Sequence, residues 1–184
     1  MFKPGTVLKT FTSKKGNNVI VRTPEKKDVS LMTDYMNEIS KEDTFISFGG
    51  EQLTLAEEEK YMDETLDKLK KGDCLKIFAF IGKTMVGNAD VNRMVKRSKH
   101  VGILGITVKD GFRKEGIGKI LMDLLIEGAK KMKLKMIELT CFANNSYALN
   151  LYEKTGFRKV GKVPGKILYK GEYIDEVIMV KSLS

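Results

Sequence analysis

Between Val101 and Met132 the hydrophobic period changes from that of a strand to that of a helix across one basic, glycine-containing turn, and this junction restricts the chain to few architectures. Upstream, Val101-Gly102-Ile103-Leu104-Gly105-Ile106-Thr107-Val108 is rich in apolar and β-branched residues, as a buried strand requires. Downstream, Ile117, Ile120, Leu121, Leu124 and Leu125 recur at helical spacing, and Gly128 and Met132 continue the stripe, so a helix begins near Gly116. The first N–H groups of a helix lack intrahelical partners and lie at the positive end of its dipole, which makes the turn a seat for a phosphate. Gly116 and Gly118 have no Cβ to hold a pyrophosphate off the main chain, and Arg113, Lys114 and Lys119 add cations around the same place.

Spacing separates the phosphate-binding patterns. A Walker A loop needs Gly-x4-Gly-Lys-Ser/Thr, and counting from Gly111 puts Ile117 at the lysine. A dinucleotide fingerprint needs Gly-x-Gly-x-x-Gly, and Leu121 stands at the third glycine, after several strands have already passed. The pattern that remains is Arg-x-x-Gly-x-Gly, carried by Arg113, Gly116 and Gly118. Further on, Asn145, Ala148, Leu151, Tyr152, Gly156 and Phe157 fit Asn-x-x-Ala-x-x-Leu-Tyr-x-x-x-Gly-Phe, and Asn145, Ala148 and Tyr152 share one helix face. Together the two motifs resemble the acyl-CoA pyrophosphate loop and the second signature of the GNAT superfamily of N-acyltransferases. With the order of elements, the resemblance covers most of Val19 to Val180.

That order is read from the residues. Val19 to Thr23 is a strand, and Thr23-Pro24 looks like a helix cap followed by a proline at the first helical position, for a helix ending near Glu38. Thr54 and Glu57 form a capping box for a second helix that ends near Lys71. Leu75–Ile81 and Thr84–Val95 form a hairpin around Gly82-Lys83, and His100–Val108 follows as the next strand. Three successive antiparallel strands ahead of the phosphate-seating helix indicate an α+β layout with a mixed sheet. Met136–Cys141 is expected parallel to His100–Val108, a helix capped by Asn144-Asn145 ends at Gly156, and Phe157–Val160 and Tyr173–Val180 close the sheet around a connection at Pro164–Lys170. Residues before Asn18 read as a short strand or a mobile lead-in. The resemblance completes the expectation as a mixed, mostly antiparallel sheet of six to seven strands flanked by about four helices, with a splayed parallel pair.

At 184 residues without a linker-like tract, the chain is expected to be one domain over 1–184. No apolar run approaches membrane-spanning length and no signal-peptide core follows Met1, so a cytoplasmic location is expected. Two cysteines and one histidine leave little material for a disulfide framework, a zinc site or a Ser-His-Asp triad, so no metal is expected. The formal charge of +9 admits a polyanion as partner, but it is concentrated. Lys109 to Lys135 holds eight Lys/Arg against four Asp/Glu, while Glu38 to Glu64 is acid-rich. An anionic cofactor at one end and a cationic amine at the other, received by Glu51 and the glutamates at 57–59, would account for the asymmetry.

The resemblance implies acetyl-CoA as co-substrate and direct transfer of its acetyl group to a primary amine of a small molecule, such as a polyamine or an amino acid, or of a peptide N-terminus. It places the pantetheine arm along the backbone of Ile106, Thr107 and Val108, with the pyrophosphate over Arg113, Lys114, Glu115, Gly116, Ile117, Gly118 and Lys119. Asn145 and Ala148 would line the channel, and Tyr152 would face the thioester sulfur as the acid for the leaving thiolate. Protein N-terminal acetyltransferases of this superfamily place a Glu where Thr140 stands, so the base is open: Glu138 on the same strand face, Glu51 in the substrate-side loop, or a water chain. A homodimer through sheet edges is common in the superfamily. Two other readings are a non-catalytic acyl-CoA-binding or regulatory module and a basic nucleic-acid binder; the latter wants aromatics interleaved on a basic face, and here they are dispersed.

Overall fold

A computed structural model describes residues 2–42, 44–46 and 48–183. In chain order the elements are β1 (Val7–Thr12), β2 (Asn18–Arg22), α1 (Val29–Lys41), α2 (Leu55–Lys71), β3 (Cys74–Ile81), β4 (Thr84–Arg93), β5 (Val101–Val108), α3 (Ile117–Lys131), β6 (Met136–Phe142), α4 (Ser146–Lys154), β7 (Arg158–Tyr169) and β8 (Glu172–Ser182). The strands form one eight-stranded sheet in the order β1-β2-β3-β4-β5-β6-β8-β7. Among the described residues only β5 and β6 pair in parallel, with α3 as the connection between them. The mixed, mostly antiparallel sheet is thus as expected, with eight strands in place of six to seven. The extra one is β1, whose mostly exposed residues left the segment before Asn18 readable as either a short strand or a lead-in.

Strand β3 shows why the helices divide between two faces. Ile77 and Ala79 pack into a cluster with Leu121 and Leu125 of α3, whereas Phe78 and Phe80 pack with Met32, Tyr35 and Ile39 of α1 and Met62 of α2. The period of two along the strand therefore puts α3 on one side and α1 on the other. Lys76 interrupts this apolar run with a side chain only 2% exposed, held by the Tyr61 hydroxyl at 3.1 Å and by Asp90 at 3.5 Å. Burial alone would lower its pKa; the Asp90 carboxylate and the Tyr61 hydroxyl outweigh burial and raise it, so the ammonium is kept charged.

Two local expectations need correction. Thr23 does not cap α1: its hydroxyl donates to the Lys3 carbonyl at 2.6 Å and accepts from the Thr6 amide at 2.9 Å, tying down the N-terminal segment. The helix starts at Val29, five residues beyond the expected first position Pro24, after a 3-10 turn at Lys26–Asp28 in which Asp28 accepts from the Glu25 amide. Pro164 lies inside β7 instead of in a connection. It is accommodated because β7 is the edge strand and its pairing with β8 is irregular between Val163 and Ile167, where no ladder donor is needed. By contrast, the Thr54 and Glu57 capping box, the Gly82-Lys83 turn, the Asn145 cap and a left-handed Gly156 at φ 88° are all present.

Helix α3 approaches the sheet closely because Gly128 faces Leu75; a Cβ at that position would lie 2.2 Å from Leu75 Cδ2. Gly128→Ala should destabilise the fold by about 1–2 kcal/mol, overpacking outweighing the roughly 1 kcal/mol gained in helix propensity. In a Leu75→Ala background the same change should stabilise instead, and a double-mutant cycle in urea reads that reversal of sign. Additive effects would show that the close approach is not limiting.

Candidate active site

Strands β5 and β6 stay paired only through Val101 with Met136, Gly102 with Ile137 and Ile103 with Glu138. Beyond these pairs they diverge, β5 remaining attached to β4 and β6 to β8. Divergence leaves the edge of Leu104–Val108 that faces β6 without a strand partner, a row of backbone groups open to anything extended that enters. The gap widens into a cavity of about 1080 Å³. Its walls include Leu104 to Val108, Thr140 to Phe142, Asn145, Ala148, Leu151 and Tyr152 of α4 and its cap, and Phe112, Arg113, Lys114 and Gly118 of the loop before α3.

The loop is built from left-handed turns: Gly111, Lys114 and Gly116 have φ of 80°, 63° and 90°. At Lys114, which has a Cβ, this conformation costs roughly 1–2 kcal/mol. Gly116 caps α3 without a side-chain acceptor, so the first N–H groups of the helix are left for another partner. The cations around the loop are less free than the sequence suggests. Arg113 donates from Nε to the Val108 carbonyl at 2.8 Å and pairs through its guanidinium with Glu42, whose carboxylate also accepts the Asp110 amide. Lys119 is paired to Asp123 at 2.6 Å, and only Lys114 of the three has no ion partner among the described residues. Of the residues expected at the cofactor, Ile106, Thr107, Val108, Arg113, Lys114, Gly118, Asn145, Ala148 and Tyr152 line the cavity. Glu115, Gly116, Ile117 and Lys119 do not: Ile117 is core, and the Glu115 carboxylate turns away to Ser13 at 2.6 Å. The Asn145 side chain also has a local task, its Oδ1 accepting from the Ala148 amide at 3.1 Å.

Tyr152 is 7% exposed and packs beside Phe157. Burial pushes its phenol well above the ordinary tyrosine range, and the neighbouring Cys141 adds to this, so the hydroxyl keeps its proton. Burial likewise pushes the Cys141 thiol up to about 11 and the Cys74 thiol up to about 12. Neither is a thiolate at neutral pH, so a cysteine acyl intermediate has no ready nucleophile.

At another part of the cavity three rings meet edge to face or tilted. Phe45, Phe142 and Tyr169 lie with centroids 5.4 to 5.6 Å apart, drawn from the α1–α2 connection, β6 and β7. Among the described residues the one carboxylate lining the cavity is Glu176, which pairs with Lys166 and sits beside Phe142 in the β6–β8 register. Sequence reading missed it, placing it only within the closing strand Tyr173–Val180. Glu138 points to the same face as Thr140 and Phe142, but it lies where β5 and β6 are still paired, at the closed end of the gap. Glu51 accepts from the Gly49 amide, Glu57 caps α2, and Glu58 is buried near Lys76 with its carboxyl raised by that burial. None of these lines the cavity. The acid-rich patch is thus largely spent on loop and helix structure.

Comparison with known proteins agrees with this geometry. The family model for the acetyltransferase (GNAT) family matches residues 34–157. A curated relative, the L-amino acid N-acetyltransferase AaaT of Escherichia coli, is 33% identical over 108 residues, covering 57% of this chain and 66% of that protein. The chain thus spans slightly under two thirds of that relative's length. An acetyltransferase of the GNAT family from Streptococcus pneumoniae superposes with a TM-score of 0.82 at 26% identity, over 90% of this chain and 99% of that one. The yncA protein of Salmonella typhimurium, solved with acetyl-CoA, shares the fold with a TM-score of 0.79 at 15% identity, over 90% and 94% of the two chains. By motif, topology and family match, the chain belongs to the GNAT family of acetyltransferases.

Proposed function

We propose that this chain transfers an acetyl group from acetyl-CoA directly to a primary amine. The observation that carries the reading is the unpaired β5 edge opening into a cavity whose rim is an uncapped helix start. An extended pantetheine arm would pair with the backbone of Ile106, Thr107 and Val108, while the pyrophosphate would meet the N–H groups after Gly116 and the Lys114 ammonium. At Gly118 a Cβ would sit at ordinary contact distance from Leu151 and Val108, 3.5 and 3.9 Å, so packing does not demand glycine there and a ligand can use the space.

The chain's own groups supply the remaining chemistry. A neutral amine attacks a thioester without help from a protein nucleophile, and the protonated thiols of Cys74 and Cys141 accord with that. Tyr152 holds its proton inside the cavity and gives it to the departing thiolate. A backbone N–H near Val108 faces the developing oxyanion. Glu176 is our candidate to accept the amine proton: it already seats the Lys166 ammonium, which is the chemistry a protonated acceptor presents. The ring cluster of Phe45, Phe142 and Tyr169 favours an amine joined to an apolar group over a polyamine, and the L-amino acid activity named for the Escherichia coli relative points the same way. Thiol release from acetyl-CoA with a panel of amino acids, short peptides and polyamines tests the function; no release with any amine would leave at most an acyl-CoA-binding module.

Gly118→Asp should leave the fold intact and weaken acetyl-CoA binding by about tenfold or more, since it sets a like charge near the pyrophosphate. Undiminished affinity in calorimetry would place the pyrophosphate elsewhere. Tyr152→Phe should bind acetyl-CoA normally but turn over about 10²-fold more slowly. Because burial raises the phenol pKa, the unaltered enzyme should lose no rate through Tyr152 as pH rises to ~10, the ordinary tyrosine value. A pH-rate profile that falls earlier, and falls identically in Tyr152→Phe, would assign the acid to another group. Glu176→Gln should lower kcat by about 10²-fold while Glu138→Gln costs little; the opposite ranking would restore Glu138 as the base.

A further inference from the structure

The loop before α3 is clamped from outside the family-matched segment, and the clamp has no role in the chemistry above. The turn between β1 and β2 places Ser13, Lys15 and Asn17 against Glu115. The Ser13 hydroxyl donates to one carboxylate oxygen at 2.6 Å and Asn17 donates to the same oxygen at 3.3 Å, while the Lys15 ammonium sits 3.1 Å from the other. The main chain is tied as well: the Lys14 amide donates to the Glu115 carbonyl at 3.1 Å, and Lys15 Nζ donates to the Gly111 carbonyl at 2.9 Å. Glu115 is 2% exposed and Ser13 5% exposed. The Ser13 hydrogen bond, with help from Lys15 and Asn17, holds the Glu115 carboxyl below its usual range, so it is ionised at neutral pH.

These ties grip the loop at Gly111 and Glu115; of its three left-handed residues, Gly111 is one of the gripped points, Lys114 lies between them and Gly116 follows the second. A backbone with repeated left-handed turns, one of them at a lysine, keeps its N–H groups converged only while something outside opposes relaxation. We propose that the β1–β2 turn is a brace that sets the acetyl-CoA affinity of this chain, with Glu115 as the positioning residue. The Glu115 side chain faces away from the cavity, toward Ser13, Lys15 and Asn17. Its effect passes through the N–H groups that follow it, and the loss on removal falls on cofactor affinity rather than on the chemical step. The proposal rests on the acetyltransferase reading.

Calorimetry with CoA, kinetics with acetyl-CoA and amide exchange across residues 111–118 test it in the full chain. Glu115→Ala should raise the CoA Kd and the acetyl-CoA KM by about tenfold, as expected for the loss of several hydrogen bonds to a buried charge, and should speed exchange in the loop. The amine KM should move far less, and kcat at saturating acetyl-CoA should fall less than kcat/KM. Glu115→Gln, which still accepts from Ser13, should recover part of the affinity. Ser13→Ala and the surface change Lys15→Ala should each raise Kd about threefold in well-folded protein, so the test survives a Glu115→Ala chain that does not fold. Equal CoA affinity in the unaltered, Ser13→Ala and Lys15→Ala proteins overturns the brace, as does a uniform fall of kcat with unchanged KM. No CoA binding by the unaltered protein overturns the acetyltransferase reading and the brace with it, whereas binding that is indifferent to the brace overturns the brace alone.

Discussion

The separation of β5 from β6 is the constraint on which the site depends. A parallel pair joined by a crossover helix could stay hydrogen-bonded along its whole length, closing the sheet over a solid core. Here pairing ends after Ile103 and Glu138, while β5 stays paired with β4 over seven residue pairs and β6 with β8 over another seven. Tyr152, Leu149 and Cys141 fill the α4 side of the opening, so the gap remains lined instead of collapsing. The strand edge, the helix start and the buried phenol all become available through the one broken ladder.

Much of this was legible in the residues because it follows from short-range rules. Strand and helix periods, the turn at Gly82, the box at Thr54 and the cap at Asn145 each depend on a few neighbours, and each is where it was read. Errors arose where a residue had a choice of distant partners. Thr23 has the chemistry of a helix cap, yet Lys3 and Thr6 claim its hydroxyl from another segment. Pro164 reads as a strand breaker unless its strand is known to be the edge. The polar, exposed β1 pairs with β2 through backbone groups that side-chain patterns do not display.

The charged residues show the same limit more sharply. The basic loop and the acidic N-terminal half look like two halves of a ligand field when counted along the chain. In space Glu42 reaches Arg113, Glu38 reaches Lys109, and Glu57 and Glu58 serve α2 and the ground around Lys76. The carboxylate that does line the cavity comes from β8, near the end of the chain and outside either motif. A motif marks residues whose backbone geometry is shared by a family. It carries no information about which of many glutamates the variable hairpins will bring in.

The pairing of Arg113 with Glu42 and Asp110, and of Lys119 with Asp123, also bears on how the loop responds to its solution. An anion that arrives there takes Arg113 from carboxylates already seated on it, exchanging one contact between opposite charges for another. Dissolved ions weaken both contacts together, so they largely cancel in the difference. The part that does not cancel comes from Lys114 and from fixed backbone dipoles, and dipoles are little affected by counterions. For a chain with a formal charge of +9, the hold of this loop on a polyanion would therefore answer to salt less steeply than the charge count alone suggests.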